Sequence, residues 1–402
     1  TCSADSGGRK GTMAGVESGG AWIAGSDQPE KTSVRIGFMP LADCAPVVMA
    51  SVLGFDEKYG VRFELSRELS WTGMRDRLVG GGIDAGQVLV GLLYGLQMGI
   101  GTRAHQVALL MNLNQNGQGI VLSRALGAKA HDGAALARLL RAEKRRPTFG
   151  HTFTTGNHAM FLYYWLAANG IDPFEECNVL TVPPGQMAAS LAAGHMDGFC
   201  AGEPWGRRAV REGAGMLAVP SETIWPDHPG KVLGASADFA AANPRTCRAM
   251  IAALLEATRW LDASRTNREA AAEVLSSPAY VNASKEVMQY CLAGRHCEPA
   301  RPGPVRGHNG LRFYGDGEAT FPWLSDGMWF LTQQVRWGLL RDQPHYAAIA
   351  REVNRIDLYR DAAAMAGVAV PDALMRRSTL LDGRVWDGSD PIAYTTSFMQ
   401  AA

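Results

Sequence analysis

The chain carries no surplus of either charge: Lys and Arg total 39, Asp and Glu also 39. That balance excludes a nucleic-acid partner held by bulk electrostatics. No apolar run approaches the roughly 20 residues that a membrane-spanning helix needs. The nine histidines are scattered, with neither H-E-x-x-H nor C-x-x-C among them, so the usual zinc-ligand spacings are missing. There is no G-x-S-x-G elbow and no Walker A loop. Gly80-Gly81-Gly82 precedes Ile83-Asp84, but without the G-x-G-x-x-G order it reads as a turn. Asp172, Glu175 and Glu176 read as a solvated helix start. With no motif placing a nucleophile beside a base, the residues argue against an enzyme and call for no metal or cofactor. The seven cysteines are odd in number, and a chain of 402 residues needs no disulfide staples, so most read as small buried hydrophobes.

Residues 1–33 are rich in Gly and Ser, have no hydrophobic period, and read as a disordered linker or the remnant of an export signal. Arg9-Lys10 and Ala21-Trp22-Ile23-Ala24-Gly25-Ser26 resemble the two ends of such a signal, although the apolar core between them is missing. Cys2 is a candidate lipid-attachment point, for which the preceding Thr1 is a poor fit.

From about residue 34 the pattern alternates between strand and helix. Strands are expected at 34–38, 61–65, 83–87, 107–111 and 119–122, and helices at 45–53 and 74–80. After a polar helix over 131–146 a second series follows. Its strands fall at 148–153, 179–182, 198–201 and 216–219, its helices at 158–169, 186–193 and 206–213. Beyond residue 232 the chain is mostly helical, at 244–263, 267–276, 285–292, 325–340 and 346–353. The expectation is α/β with two lobes: lobe I from 34–122, lobe II from 123–232, and a return to lobe I over 233–402.

Asp197-Gly198-Phe199-Cys200-Ala201-Gly202-Glu203-Pro204-Trp205 reads as a short buried strand running into a helix. Ligands bind at such strand-to-helix junctions in open α/β sheets. A Pro opening an ordinary helix, with Trp205 in the core, accounts for the same letters. Other loops supply neutral hydrogen-bond donors: Trp71, Gln118, Thr154, Thr155, Gly156, Asn157 and His158. One cation, Lys231, follows Trp225-Pro226-Asp227-His228-Pro229-Gly230. One lysine among neutral donors suits a small monovalent anion, whereas phosphate calls for more charge or an arginine fork. Taken singly, Trp71 also reads as core, Gln118 as a loop cap and Lys231 as a surface group.

The order of several motifs goes further. Gly37-Phe38-Met39-Pro40-Leu41-Ala42-Asp43-Cys44-Ala45-Pro46, Ser70-Trp71, Gly81-Gly82-Ile83-Asp84-Ala85 and Asn114-Gln115-Asn116-Gly117-Gln118 occur in one chain. Gly156-Asn157-His158, the 197–205 stretch, the 225–231 stretch, Phe321-Pro322-Trp323, Asp326-Gly327-Met328-Trp329 and Val353-Asn354-Arg355 follow. The series resembles the nitrate/bicarbonate-binding family of ABC-transporter solute-binding proteins, over residues 34 to about 390. The resemblance implies a periplasmic-binding-protein type II fold, a C-clamp with the ligand cleft between its lobes. It places Trp71, Gln118, Thr155, Gly156, His158, Glu203, Pro204 and Lys231 at that cleft, with Glu203 positioning the lobes and Pro204 and Trp205 forming a wall. It implies nitrate or nitrite as ligand, because the bicarbonate branch lacks the cation at Lys231 and recruits calcium. It further implies a permease and ATPase subunits as partners and a periplasmic location. Two positions depart from the family pattern: Thr154-Thr155-Gly156-Asn157-His158 stands for Pro-Gly-Gly-Thr-His, and Gln87 for a histidine.

Rival functions remain open at this point. A cytoplasmic nitrate sensor that releases a regulatory RNA-binding partner resembles the same family, and bicarbonate is an alternative ligand. Thiamin-pyrimidine synthases share the two-lobe fold, but they require a His–Cys site that the sequence does not display.

Overall fold

A computed structural model describes residues 27–293 and 310–399. Cys2, Cys297 and the export-signal question lie outside those residues. Two five-stranded sheets form the frame. The first contains β1 (Ser33–Phe38), β2 (Arg62–Arg67), β3 (Ala85–Val88), β4 (Val107–Asn112) and β10 (Val232–Ser236). The second contains β5 (Gln118–Ser123), β6 (Thr148–His151), β7 (Asn178–Thr181), β8 (Gly198–Gly202) and β9 (Gly215–Pro220). Their orders are β2-β1-β3-β10-β4 and β7-β6-β8-β5-β9.

The two orders are one pattern used twice. In each sheet the strands made by its own lobe leave a slot before the last, and a strand arriving from the other lobe fills it antiparallel to both neighbours. The chain therefore crosses twice, between β4 and β5 and between β9 and β10. Backbone hydrogen bonds join the crossings: Leu113 N donates to the Lys231 carbonyl (2.8 Å) and Gly230 N to the Asn114 carbonyl (2.8 Å). The break expected after residue 122 falls instead between 112 and 118, because the strand at 118–123 pairs with β8 and β9 of the second sheet.

Strand and helix positions otherwise follow the hydrophobic periods closely, and the helix Pro244–Ala263 has the expected bounds. Other elements had no such signal. Val90–Gln97 is buried at every position, so it has no polar face to reveal a 3.6-residue period. At the N-terminal end, residues 27–33 are tied down rather than free. Glu30 accepts hydrogen bonds from the backbone N–H groups of Arg245 and Thr246, and Lys31 pairs with Asp84 at 2.6 Å. Nor does the C-terminal third serve lobe I alone. Trp329, in the helix Leu324–Arg336, packs on Trp225 (ring centroids 4.6 Å) and on Phe161 and Tyr164 of the second lobe. That helix straddles the two lobes, a role that a one-dimensional pattern cannot announce.

Cys44, Cys177, Cys200, Cys247 and Cys291 are free and buried, which matches the reading of small hydrophobes. Among the described residues no helix is long and apolar enough to cross a membrane.

Candidate functional site

The two crossings deliver side chains to one buried point between the lobes. Lys231 immediately precedes β10 and is held by its own backbone, whose N–H donates to Asn114 Oδ1 at 2.9 Å. Gly230 has to lack a side chain, because a Cβ there would lie 2.1 Å from Asn114 Nδ2. Gln118 opens β5 and stands opposite Gly202, the last residue of β8. His158 lies in the first turn of the helix Asn157–Ala168, and Trp71 is the first residue of the helix Trp71–Val79, capped by Ser70.

Gly202 marks the centre. A Cβ built on it would lie 3.6 Å from both His158 Nε2 and Lys231 Nζ, in ordinary van der Waals contact. The Trp71 ring centroid is 5.9 Å from the same Nζ. Trp71 Nε1, both side-chain amide atoms of Gln118 and His158 Nε2 are buried and find no hydrogen-bond partner among the described residues. A buried polar group without a partner costs about 1–3 kcal/mol. Of these groups, His158 Nε2 and the Trp71 ring lie next to Lys231 Nζ, which makes the neighbourhood of that cation the candidate ligand site.

Lys231 is not a free charge. Its Nζ lies 2.8 Å from Asp43 Oδ2, and both side chains are almost wholly buried, at 0% and 2% exposure. Gln87 Nε2 donates to the other oxygen, Asp43 Oδ1, at 2.6 Å, while Gln87 Oε1 accepts from Met39 N at 2.9 Å. Burial pushes the Asp43 carboxyl up, against the opposing charge of Lys231. Sequence reasoning missed this partner: Asp43 was visible only as a letter in the 37–46 motif. Gln87, the departure from the family pattern, is the residue that orients it.

Three buried histidines surround the site. Burial holds His158 well below its usual range, with the positive charge of Lys231 adding to the effect. His228 is pushed down to about 3 and His151 to about 4, both chiefly by burial. All three are therefore neutral at pH 7. His158 Nδ1 is hydrogen-bonded to Thr152 Oγ1 at 2.5 Å. In the tautomer in which that hydroxyl donates to Nδ1, the ring proton is on Nε2, the atom nearest Gly202, and is available to a bound anion.

The remaining expected residues lie around this point, not in it. Thr155 packs into the helix Val90–Gln97: a Cβ on Gly91 would lie 2.0 Å from the Thr155 carbonyl oxygen, and one on Gly95 would lie 2.7 Å from Thr155 Oγ1. The Gly156 N–H is already spent on the Phe153 carbonyl at 3.0 Å. Asn157 Nδ2 donates to the carbonyls of Pro229 and Gly230, both at 3.0 Å. This segment thus joins the lobes and supports Lys231 from behind. The Glu203 carbonyl accepts from Ala42 N of the first lobe at 2.8 Å. Its carboxylate accepts from Arg207 N at 3.0 Å and faces Cys291 Sγ at 3.9 Å. The Pro204 carbonyl accepts from Arg208 N, which places Pro204 at the start of the helix Trp205–Arg211. Trp205 sits in the core beneath it.

Two lobes linked by two crossing strands, with a buried cation and unpartnered donors between them, define a bilobal small-solute-binding protein. The family model described as the NMT1-like family matches residues 27–276. The nitrate/nitrite binding protein NrtA of Synechocystis sp. PCC 6803 is 33% identical over 395 residues, spanning 93% of this chain and 86% of the relative. The bicarbonate transport ATP-binding protein CmpC of the same organism is 35% identical over 373 residues, covering 91% of this chain and 55% of its own. The crystal structure of the periplasmic nitrate-binding protein NrtA from Synechocystis PCC 6803 superposes with a TM-score of 0.84 at 33% identity, covering 92% of this chain and 99% of that one. The alkanesulfonate-binding protein SsuA of Xanthomonas axonopodis pv. citri shares the fold alone, with a TM-score of 0.59 at 16% identity over 81% of this chain and 98% of that one. This chain belongs to the NMT1-like family, in the group that contains the nitrate/nitrite- and bicarbonate-binding proteins of ABC transporters.

Proposed function

We propose that the chain captures nitrate or nitrite between its lobes and delivers it to the permease and ATPase subunits of an ABC transporter, from a periplasmic location and without catalysis. The observation that carries the reading is the grouping around Lys231 of residues whose Trp71 Nε1, Gln118 Nε2 and His158 Nε2 have no partner among the described residues: His158 Nε2 beside Gly202, Lys231 Nζ over the Trp71 ring, and Gln118 opposite Gly202. Nitrate is a flat anion that only accepts hydrogen bonds, and these groups only need to donate. Trp71 and Lys231 come from the first lobe, Gln118, His158 and Gly202 from the second, so an anion held by both favours the closed clamp. Micromolar affinity corresponds to about 8 kcal/mol, within reach of a few charge-assisted hydrogen bonds whose donors are already in place.

Gly202→Ala tests the location. Its methyl would fit the protein but occupy the space between His158 Nε2 and Lys231 Nζ. The expected outcome by calorimetry is loss of nitrate binding, with a melting temperature close to that of the wild type. Unchanged affinity would remove the ligand from this point. Trp71→Phe keeps the ring and deletes one donor, which should weaken binding by about 1.5–3 kcal/mol, the worth of a hydrogen bond to a charged group. Equal affinity in that variant would show that the indole takes no part.

Bicarbonate is a second ligand favoured by one observation. Gln118 Oε1 is unpartnered as well as Nε2, and bicarbonate has a hydroxyl to donate to it. Titrations of nitrate, nitrite and bicarbonate, each with calcium and with a chelator, separate the two. Calcium-dependent bicarbonate binding without nitrate binding would overturn the first reading.

A further inference from the structure

The Asp43–Lys231 pair governs which anions the site can accept, an inference that rests on the anion-binding reading above. A site for an anion has no evident use for a carboxylate, yet Asp43 is buried against the cation of this site, 2.8 Å from Lys231 Nζ. Gln87 Nε2 on β3 anchors the far oxygen. The other titratable groups around the pair add no charge that meets the ligand. His158 and His228 from the second lobe and the second crossing are neutral. The thiols of Cys44, next in sequence, and of Cys200 on β8 are pushed up and remain protonated. Arg67, whose charge reaches Cys44, is at the exposed end of β2. The Glu203 carboxylate is turned to Arg207 N and Cys291.

Paired as ions at 2.8 Å, Lys231 and Asp43 cancel, so among the described residues the pair brings no net charge to the site. We propose that Asp43 is the residue that sets the charge of the ligand: by neutralising Lys231 it limits the site to one monovalent anion and rejects dianions. A monovalent anion leaves one net negative charge, which the neutral donors and the shared lysine can carry. A dianion would leave two in a water-excluded site, beside a carboxylate and with a single cation, and a buried uncompensated charge is strongly unfavourable. A monovalent anion also acts on Asp43 itself. Its added negative charge favours the protonated carboxyl, so capture of the anion takes up a fraction of a proton.

Asp43→Asn removes the charge and keeps the shape and an oxygen for Gln87. The measurement is calorimetric titration of wild type and variant with nitrate and with sulfate at pH 7, in two buffers of different ionisation enthalpy. The wild type should bind nitrate with an enthalpy that depends on the buffer, and should show no sulfate binding. The variant should bind nitrate at least tenfold more tightly, gain measurable sulfate binding and lose the buffer dependence. A residue that merely braces Lys231 would give the opposite, weaker nitrate binding. Weaker or equal nitrate affinity in a folded variant that still excludes sulfate would overturn the proposal. Should the variant not fold, the wild type decides alone: sulfate bound as tightly as nitrate, with no proton uptake, overturns it, and proton uptake with sulfate excluded supports it. A wild type that binds no monovalent anion would instead overturn the functional reading itself.

Discussion

Lys231→Met is expected to abolish nitrate binding and to cost the fold about 3–5 kcal/mol, because it strands a buried carboxylate. The pair in question lies at 0% and 2% side-chain exposure. In the single variant Asp43 loses its counter-charge while keeping the bond from Gln87, and is driven toward its protonated form. Adding Asp43→Asn removes the stranded charge, so the double variant should recover most of the lost stability, since replacing a whole buried ion pair by neutral groups is often nearly neutral. It should not recover nitrate binding, because the cation that faces Gly202 is gone. Urea unfolding of the wild type, both single variants and the double variant measures the coupling directly. A Lys231→Met protein as stable as the wild type would mean that the pair is not the buried contact described. Near-normal nitrate affinity in that protein would remove Lys231 from the site.

Acidification should destabilise the protein steeply, through the buried histidines. His151 is held at about 4 and His228 at about 3 against an ordinary 6.5, and His158 is held well below 6.5. Each has a folded pKa depressed below the unfolded value, so the unfolded chain binds the extra proton as pH drops through 6.5. Stability is then fully present above that value and is lost below it. At 1.36 kcal/mol per pH unit per group, going from pH 7 to 5 removes about 2 kcal/mol for each histidine and about 6 kcal/mol for three. Glu222 acts in the opposite sense: burial pushes it up to about 7, so it gains stability as it protonates. Solvent reaches that side chain, which reduces its offset. The histidine contribution is isolated by His151→Phe, whose ring can keep the edge-on contact with Tyr163 and which leaves no unpartnered Nδ1. The variant should lose about 2 kcal/mol less than the wild type between pH 7 and 5. Parallel losses in both would show that His151 is already solvated and titrates normally.

Much of the frame was readable from local pattern, since strands and amphipathic helices state their period in the residues themselves. The helix Pro244–Ala263 shows a clear polar face and came out with its observed ends. Val90–Gln97 and Val232–Ser236 did not, the first because it is buried all round and the second because it is a five-residue run, buried at its first four positions, with no polar alternation to mark it. Motif order singled out Trp71, Gln118, His158 and Lys231; the structure sets His158 Nε2 and Lys231 Nζ beside Gly202, the Trp71 ring 5.9 Å from that Nζ, and Gln118 opposite Gly202 in the strand pairing. Thr155 and Gly156, which belong to the same motif, turn out to join the lobes. Neighbours in sequence point in different directions at a helix start, and only the packing tells which of them faces the ligand.

By itself, the sequence determined that the chain has balanced formal charge and is an α/β protein with two similar lobes, and its motif order singled out Lys231 together with a set of neutral donors. Those conclusions depend on composition, period and order, all of which are local. The tertiary structure alone decided where the lobes divide and which donors lack partners. It also showed that Lys231 is already matched by Asp43, 188 residues away. Strand exchange and buried ion pairs are contacts between distant segments. Their energies come from being taken out of water together, and a linear pattern holds no record of which segments share that fate.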